Sequence, residues 1–322
     1  MSFIIAGTGS CAAQTNIDNT FFEKIIDTSD KWITTRTGIK NRTFLTDESL
    51  TDIATKSAIA ALEEACISAD ELDFIICATL QGDYIMPSLS CMIQKNIGAH
   101  CPAVDINAAC TGFLYALDIA DSYFKSDKVR NILIVCADNM SKFLDFSDRS
   151  TCILFGDGAG AVVLKNGNSL KYINITAHGD KEILYIKGTQ HKLPFIEKSM
   201  QEKDDNYLKM DGQKVFKFAV STVTEDIKRA LSDSNIDSSL IKYFILHQAN
   251  QRILECSQDF LKEVPEKFPK NLNNLGNTSA ASIPILLDEL NKTKKIKKGD
   301  LILLSAFGGG MTSGTAIIEW SY

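Results

Sequence analysis

The residue with the clearest chemical potential in this chain is Cys110, in the segment AACTGFLYALDIA. Small residues predict a turn there, and the apolar stripe that follows predicts a helix with the thiol in its first turn. Free backbone N–H groups and the helix dipole favour a thiolate at that position, so we expect a lowered pKa and a nucleophile. The alternative is a small buried core residue, the usual role of a free cysteine.

Two polar side chains stand beside apolar segments nearer the C-terminus. His247 follows residues 243–246 (YFIL), a predicted buried strand, and Asn277 follows Gly276 ahead of a segment rich in small and aliphatic residues. Ligands gather at strand ends in open α/β sheets, which favours His247 as a site residue. Two alternatives stay open, namely an ordinary structural histidine and a helix N-cap at Asn277.

Cys110, His247 and Asn277 together resemble the Cys-His-Asn site of the thiolase superfamily, and most closely that of β-ketoacyl-acyl-carrier-protein synthase III. The resemblance extends from end to end, in motifs that follow the family's order: DTSDKWITTRTGI at 27–39, AACTGF around the cysteine, DRSTCILFGDGAGAVVL from 148, HQAN from 247, GNTSAAS from 276 and AFGGG from 306. Ketoacyl synthases for longer chains carry His in place of Asn277 and therefore fit less well. Thiolases carry a second Cys in the C-terminal glycine loop, and hydroxymethylglutaryl-CoA synthases carry an upstream Glu, both of which this chain lacks.

The fold that this resemblance implies is a duplicated thiolase-like α/β fold, layered α-β-α-β-α, with the active site between two similar halves. The chain itself alternates short apolar runs with helical segments such as 49–66 and 88–97, which is an α/β pattern. Residues 1–165 would form the N-terminal half with the nucleophile, and residues 166–322 the half with His247 and Asn277. A weak internal repeat of the order helix, buried strand, glycine-rich turn and strand agrees with duplication.

The resemblance also assigns roles to the site residues. Cys110 would form an acyl thioester, while His247 and Asn277 would donate hydrogen bonds to the oxygen that becomes negative on decarboxylation. The backbone N–H groups of Cys110 and Gly309 would form a second oxyanion hole. Phe307 would crowd the departing carboxylate, or would simply pack in the core.

Substrate contacts follow from the same resemblance. The residues that match the family's CoA contacts, each with an ordinary core or surface alternative, are Trp32, Arg36, Arg149, Met210, Gly212, Phe216 and Asn250. Trp and Arg can sandwich a planar base, and Arg pairs with phosphate. Met86 matches a residue that reaches the acyl pocket of a partner subunit, where Met leaves more space than the Phe of acetyl-selective members. Lys217 and Arg252 match basic contacts for an acidic carrier protein, whereas Asp259 stands where relatives have Lys.

These inferences predict an acyltransferase that initiates fatty acid synthesis. It would join a short acyl-CoA, acetyl or a longer or branched chain, to malonyl-acyl-carrier-protein by decarboxylative Claisen condensation. Acyl-CoA would be a substrate, and no cofactor or metal is expected. The alternatives are a specialised acyltransferase or condensing enzyme of secondary metabolism and a non-catalytic thiolase-fold partner subunit. The resemblance further implies a homodimer.

Composition limits the cellular context. The 322 residues are 45% hydrophobic, enough for a large core in one big domain or two fused ones. Nine cysteines without CxxC pairs indicate a reducing compartment and no zinc site, and the net charge of −6 argues against nucleic acid as a bulk partner. Because the chain has no basic leader and no apolar stretch of about 18 residues, we expect a cytoplasmic protein without a membrane partner.

Two further segments carry weaker signals. Residues 7–12, GTGSCA, match the GxGxxA dinucleotide pattern after a strand, but no amphipathic helix follows, so nicotinamide binding is not expected there. Residues 187–206 are polar and lack periodicity, which predicts a loop that covers the site.

Overall fold

Two large β-sheets, of five and four strands, with helices between and around them form the centre of the structure, a computed structural model that describes residues 2–188 and 206–322. Two further sheets of the described residues have two strands each. Of the predicted loop at 187–206, residues 189–205 lie outside the described residues. The strands are β1 (Ser2–Ala12), β2 (Thr15–Asp18), β3 (Asn41–Phe44), β4 (Phe74–Ala78), β5 (Ala103–Ile106), β6 (Asn131–Asp138), β7 (Gly158–Gly167), β8 (Leu170–Ala177), β9 (Leu184–Tyr185), β10 (Lys209–Met210), β11 (Ile241–Leu246), β12 (Leu301–Gly308) and β13 (Thr312–Glu319). The helices are α1 (Asn19–Glu23), α2 (Asp30–Thr37), α3 (Leu50–Ala65), α4 (Leu89–Ile97), α5 (Gly112–Lys125), α6 (Gly212–Ser234), α7 (Gln251–Leu261), α8 (Leu272–Leu275) and α9 (Ser282–Lys292).

The two sheets repeat one strand arrangement. The first has the order β1-β7-β6-β4-β5, and the second has the order β8-β13-β12-β11. Strand β4 runs parallel to β6 as β11 runs parallel to β12, and in each sheet the two strands on the other side are antiparallel. The chain therefore builds the same unit twice and adds β5 to the first copy, which confirms the predicted duplication.

Helices α5 and α9 lie between the two sheets. Helix α5 contacts β1 and β6 on one side and β8 and β13 on the other, and α9 contacts β1, β7 and β11. Side chains that alternate along β6 pack on opposite faces of the first sheet. Ile132 and Ile134 pack with α5 and α9. Leu133 and Val135 pack with the outer helices α3 and α4. Helix α6, with α7 against it, covers the second sheet. These layers confirm the predicted α-β-α-β-α fold class.

Helix α3 shows how the local sequence sets the ends of an element. The Ser49 hydroxyl accepts a hydrogen bond from the Asp52 N–H at 3.1 Å, and the Asp52 carboxylate accepts one from the Ser49 N–H at 2.9 Å. This capping box satisfies two backbone donors that a helix start leaves free. The helix then buries a continuous face against the first sheet. The prediction of a helix over 49–66 is confirmed by the observed Leu50–Ala65.

Two glycines of the GTGSCA segment bring β1 into close contact with α3. A Cβ atom added at Gly7 would lie 2.3 Å from the Ala61 carbonyl oxygen, and one added at Gly9 would lie 2.2 Å from that of Ser57. Only glycine allows two backbones to approach this closely. Strand–helix packing therefore explains the dinucleotide-like pattern.

The chain passes from the first sheet to the second at residues 168–169, between β7 and β8. The boundary predicted from the sequence, at 165–166, falls inside β7. Asn and Gly are residue types common in turns, yet Asn166 and Gly167 still pair with Phe3 and Ser2 of β1. Because these two residues belong to β7, the boundary between the sheets lies slightly further along the chain than predicted. Long-range strand pairing of this kind leaves no signal in the local composition.

Three further features concern membrane spans, metal ligands and thiols. No helix within residues 2–188 and 206–322 is long and apolar enough to cross a membrane. Over the same ranges, no group of three or more His, Cys, Asp and Glu side chains is arranged to hold a metal ion. All nine cysteines are free thiols.

Candidate active site

Short 3-10 turns meet around Cys110. They are Ala109–Thr111, Ser279–Ala281 and Gly309–Met311, which precede α5, α9 and β13 respectively. Each turn holds a non-glycine residue in the left-handed region, with φ of 46° at Ala109, 53° at Ser279 and 47° at Met311. This conformation is unfavourable for L-residues and persists where the surrounding packing imposes it, often at functional sites. The turns place Cys110 directly beside Ser279.

The Cys110 thiol is neutral in the free protein. Burial raises its pKa to about 12, with a further contribution from the Asp138 carboxylate, against a lowering by the Ser279 hydroxyl, whose Oγ lies 3.5 Å from Sγ. The expectation of a lowered pKa at a helix start is therefore wrong. The thiol lies in the 3-10 turn ahead of α5, and its desolvation outweighs the favourable field of the helix terminus.

His247 directly follows β11 and is only 2% exposed. Its Nδ1 lies 2.7 Å from the Ser282 Oγ, which also accepts a hydrogen bond from the Gln248 N–H at 3.4 Å. We assign the tautomer from these bonds: the Ser282 hydroxyl donates to Nδ1, and the ring proton is on Nε2. Nε2 is buried, and no described residue hydrogen-bonds to it. Burial lowers the His247 pKa to about 3, so the ring is neutral.

Asn277 and Phe307 lie next to this histidine in the site. The Asn277 Oδ1 accepts a hydrogen bond from the Ser279 N–H at 2.9 Å, so its Nδ2 is the end of the amide that remains to donate to a ligand. Asn277 does not cap α9, because the residue before that helix is Ala281. The Phe307 ring meets the His247 ring edge-on, with centroids 5.4 Å apart.

Two cavities meet at Cys110. The first has a volume of about 450 Å³ and includes Gly309 in its wall. Its apolar lining includes Leu80, Met140, Phe143, Phe155 and Leu208. The second has a volume of about 500 Å³ and contains His247, Asn277 and Phe307 beside the thiol. Cys110 therefore borders both an apolar pocket and the cavity that contains His247 and Asn277.

Trp32 and two arginines also line the second cavity. The guanidinium of Arg36 lies 4.7 Å from the centroid of the Trp32 ring, and that of Arg149 lies 4.5 Å from it. Arg149 is held by a hydrogen bond of 2.6 Å from its Nη1 to the Asp27 carbonyl. The result is a half-buried aromatic ring flanked by two cations, a surface that suits a planar base with phosphates.

The other residues predicted to contact CoA also line this cavity: Met210, Gly212, Phe216 and Asn250. Asn250 has a structural role as well, because its side chain accepts from the Arg252 N–H at 2.9 Å and caps α7. Arg252 lies over the Phe216 ring at 5.5 Å from its centroid and lines the cavity, whereas Lys217 is exposed on α6 outside both cavities. Asp259 is exposed near the end of α7.

Met86 does not line either cavity of its own chain. It is 86% exposed beside Ile85, which is 85% exposed. The prediction that Met86 reaches the acyl pocket of a second copy therefore stays a prediction.

The structure adds three residues that the sequence analysis missed. Ser279 contacts the thiol, Asp138 lies behind Ser279, and Ser282 orients His247. Both serines stand in the GNTSAAS segment that carries Asn277, which is the one local signal for them. Asp138 ends a buried strand, as His247 nearly does, and the strand-end rule could have singled it out.

The duplicated fold, with Cys110, His247 and Asn277 around one cavity, defines a condensing enzyme of the thiolase superfamily. The family description "3-Oxoacyl-[acyl-carrier-protein (ACP)] synthase III" matches residues 104–180, and that of its C-terminal part matches residues 231–320. The beta-ketoacyl-[acyl-carrier-protein] synthase III of Clostridium acetobutylicum is 40% identical over 322 residues, covering 98% of each chain. This chain belongs to the 3-oxoacyl-[acyl-carrier-protein] synthase III family.

Solved structures agree with this assignment. The 3-oxoacyl-[acyl-carrier-protein] synthase III of Aquifex aeolicus VF5 has a TM-score of 0.92 and 41% identity, covering 99% of this chain and 100% of that one. The priming beta-ketosynthase of the R1128 polyketide biosynthetic pathway also has a TM-score of 0.92, but only 28% identity, covering 99% of this chain and 96% of that one.

Proposed function

We propose that this protein initiates fatty acid synthesis by joining a short acyl group from acyl-CoA to malonyl-acyl-carrier-protein, with release of CoA and CO2. The observation that carries the proposal is a single cavity that connects Trp32 and Arg149 with Cys110, His247 and Asn277. One end of this cavity suits a nucleotide with phosphates, and the other end suits a thioester. Acyl-CoA has both groups in one extended molecule.

In the first half-reaction, Cys110 attacks the acyl-CoA thioester and keeps the acyl group as a new thioester while CoA leaves. The N–H groups of Cys110 and Gly309 would hold the oxygen that becomes negative. Gly308 supports this geometry, because a Cβ atom there would lie 2.9 Å from the Cys110 nitrogen. The acyl chain would then occupy the first, apolar cavity.

In the second half-reaction, the malonyl thioester loses CO2, and the resulting carbanion attacks the acyl-Cys110 thioester. Negative charge then develops on an oxygen in the second cavity, where the Nε2–H of His247 and the Nδ2–H2 of Asn277 are placed to donate. Since the His247 pKa is about 3, the ring donates without carrying a charge of its own. The apolar ring of Phe307 disfavours the charged malonyl carboxylate and so favours its departure as CO2.

Primers longer than acetyl, including branched ones, fit the first cavity. Its volume of about 450 Å³ and its apolar lining leave space for several carbons. Met86 and Ile85 are exposed apolar residues at one surface, which supports burial against a second copy in a homodimer. Met86 of one copy would then close the acyl pocket of the other with a flexible side chain.

The carrier protein would dock where the second cavity meets the first turns of α6 and α7. Arg252 and Lys217 supply positive charge there, which suits an acidic partner. We place the reaction in the cytoplasm, where nine free thiols remain reduced.

Intact-protein mass spectrometry tests the proposal. The protein is mixed with equal amounts of acetyl-, butyryl-, isobutyryl- and malonyl-CoA, and the adduct is weighed. We expect one acyl adduct on the native chain, with butyryl or isobutyryl exceeding acetyl, and none on the Cys110→Ala variant. The matched control is Cys91→Ala, which removes an exposed thiol and should keep the adduct. An adduct that survives Cys110→Ala would refute the assignment of the nucleophile.

Product analysis with malonyl-acyl-carrier-protein separates the proposed reaction from the alternatives. A decarboxylated 3-oxoacyl product supports the synthase, whereas transfer of the acyl group without loss of CO2 supports a specialised relative. A non-catalytic partner subunit would give neither product. The complete Cys110, His247 and Asn277 site speaks against that last alternative.

A further inference from the structure

A buried carboxylate stands directly behind the nucleophile. Asp138 ends β6 and is 1% exposed. Its Oδ1 accepts hydrogen bonds from the Leu80 N–H at 2.7 Å and the Thr79 hydroxyl at 3.3 Å, and its Oδ2 accepts one from the Ala280 N–H at 3.4 Å. The Ser279 hydroxyl also interacts with this carboxylate and lowers its pKa. The same hydroxyl lies 3.5 Å from the Cys110 Sγ, so it connects the carboxylate with the thiol.

One hydroxyl proton serves only one of these two neighbours at a time. In the structure the Ser279 O–H donates to the Cys110 sulfur. After a rotation of this hydroxyl, the Cys110 S–H can donate to the Ser279 oxygen and the Ser279 O–H to Asp138. With Cys110 as a thiolate, the Ser279 O–H donates to sulfur instead. The three groups therefore form a path along which a proton can move by short steps and a rotation of the hydroxyl.

His247 is poorly suited to take the thiol proton. Its Nδ1 is occupied by the Ser282 hydroxyl, and its Nε2 carries the proton that the condensation step uses as a donor. Its pKa of about 3 also makes it a weak base. Asp138 is the stronger base of the two, because burial raises its pKa to about 6.

We propose that Ser279 and Asp138 take up the proton of Cys110 when the thiol attacks its acyl donor. The S–H bond breaks and leaves its electron pair on sulfur, a new O–H bond forms on Ser279, and the original Ser279 proton passes to the Asp138 carboxylate. The negative charge moves from the carboxylate to sulfur, so the total charge of the three groups is unchanged. Ser279 is then a catalytic residue, since it touches the reacting sulfur, and Asp138 is the proton acceptor that acts through it. The identity of the acyl donor rests on the proposed function, but the relay itself does not.

The charge of Asp138 opposes the thiolate only until the proton transfer is complete. The Asp138 carboxylate raises the pKa of the Cys110 thiol while both groups are in their resting forms. Once the proton has reached Asp138, that charge is gone, and the thiolate is no longer opposed by it. The relay thus removes a proton and a repulsive charge in the same step.

Other titratable groups near Asp138 do not replace it. Cys77 on β4 and Cys136 on β6 are fully buried thiols whose pKa values burial raises well above 9. The Lys142 ammonium interacts with Asp138 through space but donates its hydrogen bonds to the carbonyl oxygens of Gln81 and Gly82. Between pH 5 and 7, Asp138 is therefore the group in this cluster that changes its protonation.

The experiment measures the rate at which iodoacetamide alkylates Cys110 between pH 5 and 9, quantified on the peptide that contains it. This reaction needs the thiolate and no acyl-CoA, so it reports on the relay separately from the proposed function. We expect an inflection near pH 6 in the native protein as Asp138 ionises. We expect Asp138→Asn to lose that inflection and to react about 100-fold more slowly at pH 7, the scale of a lost general base. Ser279→Ala should show the same loss, and the double variant should be no slower than either.

The sign of the effect separates a relay from a passive charge. If Asp138 only repels the thiolate, Asp138→Asn lowers the thiol pKa and alkylation at pH 7 becomes faster, which would overturn the proposal. A native profile without an inflection between pH 5 and 7 would also overturn it, and so would additive losses in the double variant. If Asp138→Asn does not fold, as judged by thermal melting, the native profile and Ser279→Ala decide the matter.

Thr79→Val is the matched control. It removes a hydroxyl that donates to Oδ1 of Asp138 and leaves Ser279 and Cys110 unchanged. Because the Thr79 hydroxyl lowers the Asp138 pKa, we expect the inflection to move to higher pH but to persist. Loss of the inflection in this control would mean that any disturbance of the carboxylate abolishes it, and would contradict a specific path through Ser279.

Discussion

Cys110, His247 and Asn277 each contact one neighbouring group that controls the position, the tautomer or the orientation of the side chain. Ser279 contacts the thiol, Ser282 fixes the imidazole tautomer, and the Ser279 N–H orients the Asn277 amide. The thiol and the imidazole are both neutral at rest, because burial disfavours the charged form of each. The residues therefore acquire their reactivity only during the reaction.

Asn277→Ala tests the donor role at this scale. The change removes an amide aimed at the developing oxyanion, so we expect the rate of decarboxylative condensation to fall by about 10²–10³-fold. Acylation of Cys110 by acyl-CoA should stay within about tenfold, since that step uses other donors. Product formation and adduct mass measure the two steps separately. Asn274→Ala, at an exposed position of α8, is the control, and equal losses in both steps would contradict the assignment.

At the scale of elements, the end of β12 approaches the turn that carries Cys110. A Cβ atom at Gly308 would lie 2.9 Å from the Cys110 nitrogen and 3.1 Å from each Oγ1 of Thr111 and Thr312. Gly308→Ala should therefore displace the oxyanion-hole N–H and slow acylation by about 10²-fold, with a lower melting temperature. Acyl-adduct formation and thermal melting check this. Gly179→Ala, where no atom lies within 4 Å of the added Cβ, should change neither.

Helix α2 and the Arg149 segment form the nucleotide end of the second cavity. The Ser29 hydroxyl caps α2 by accepting a hydrogen bond from the Trp32 N–H at 3.2 Å, which fixes the backbone that carries the Trp32 ring. Arg149→Ala removes one of the two guanidinium groups over this ring. We expect KM for acyl-CoA to rise about tenfold with kcat nearly unchanged, because this contact stabilises the bound substrate and the transition state equally. Steady-state kinetics measure both constants. Arg130→Ala, at an exposed position outside both cavities, should have no effect, and a loss of kcat alone would contradict a binding role.

At the scale of the whole molecule, burial of His247 makes stability depend on pH. Its pKa is about 3 in the folded protein, against 6.5 for an ordinary solvated histidine, so the folded protein binds fewer protons than the unfolded chain, and stability is lost as pH falls below about 6.5. The free energy of unfolding should fall by about 2 kcal/mol between pH 7 and 5 on this account. His247→Gln should remove this loss of stability between pH 7 and 5. The raised pKa of Asp138 acts in the opposite direction, but it contributes equally to the native protein and the variant. Denaturant titrations measure this, and His100→Gln, an exposed site, should leave the difference between the two pH values unchanged.

Charge on the outer surface governs partner docking in the same proposal. Lys217→Ala should raise the apparent KM for malonyl-acyl-carrier-protein at low salt and have little effect at high salt, since exposed charges are screened. The KM for acyl-CoA should not change, because Lys217 lies outside both cavities. A KM for the carrier substrate that is unaffected at low salt would remove Lys217 from the docking surface.

Much of this molecule could be predicted from local patterns. Helix α3, helix α4 and the alternation of strands with helices follow from apolar spacing and capping residues, which act over a few positions. The family and its site residues follow from ordered motifs, because a nucleophile, its partners and a CoA surface need particular side chains. The structure places Trp32, Arg36 and Arg149 together, and Cys110 with His247 and Asn277, as those motifs implied.

The order of residues along the chain already specifies which side chains are available for the chemistry. Their protonation and their supporting contacts arise only when the two halves pack together. The Cys110 pKa is raised because packing desolvates the thiol, and Ser279 reaches it across 169 positions of the chain. Asp138 and Ala280 meet across 142 positions. Burial and long-range hydrogen bonds depend on how the two halves pack, and no local stretch of sequence contains that information.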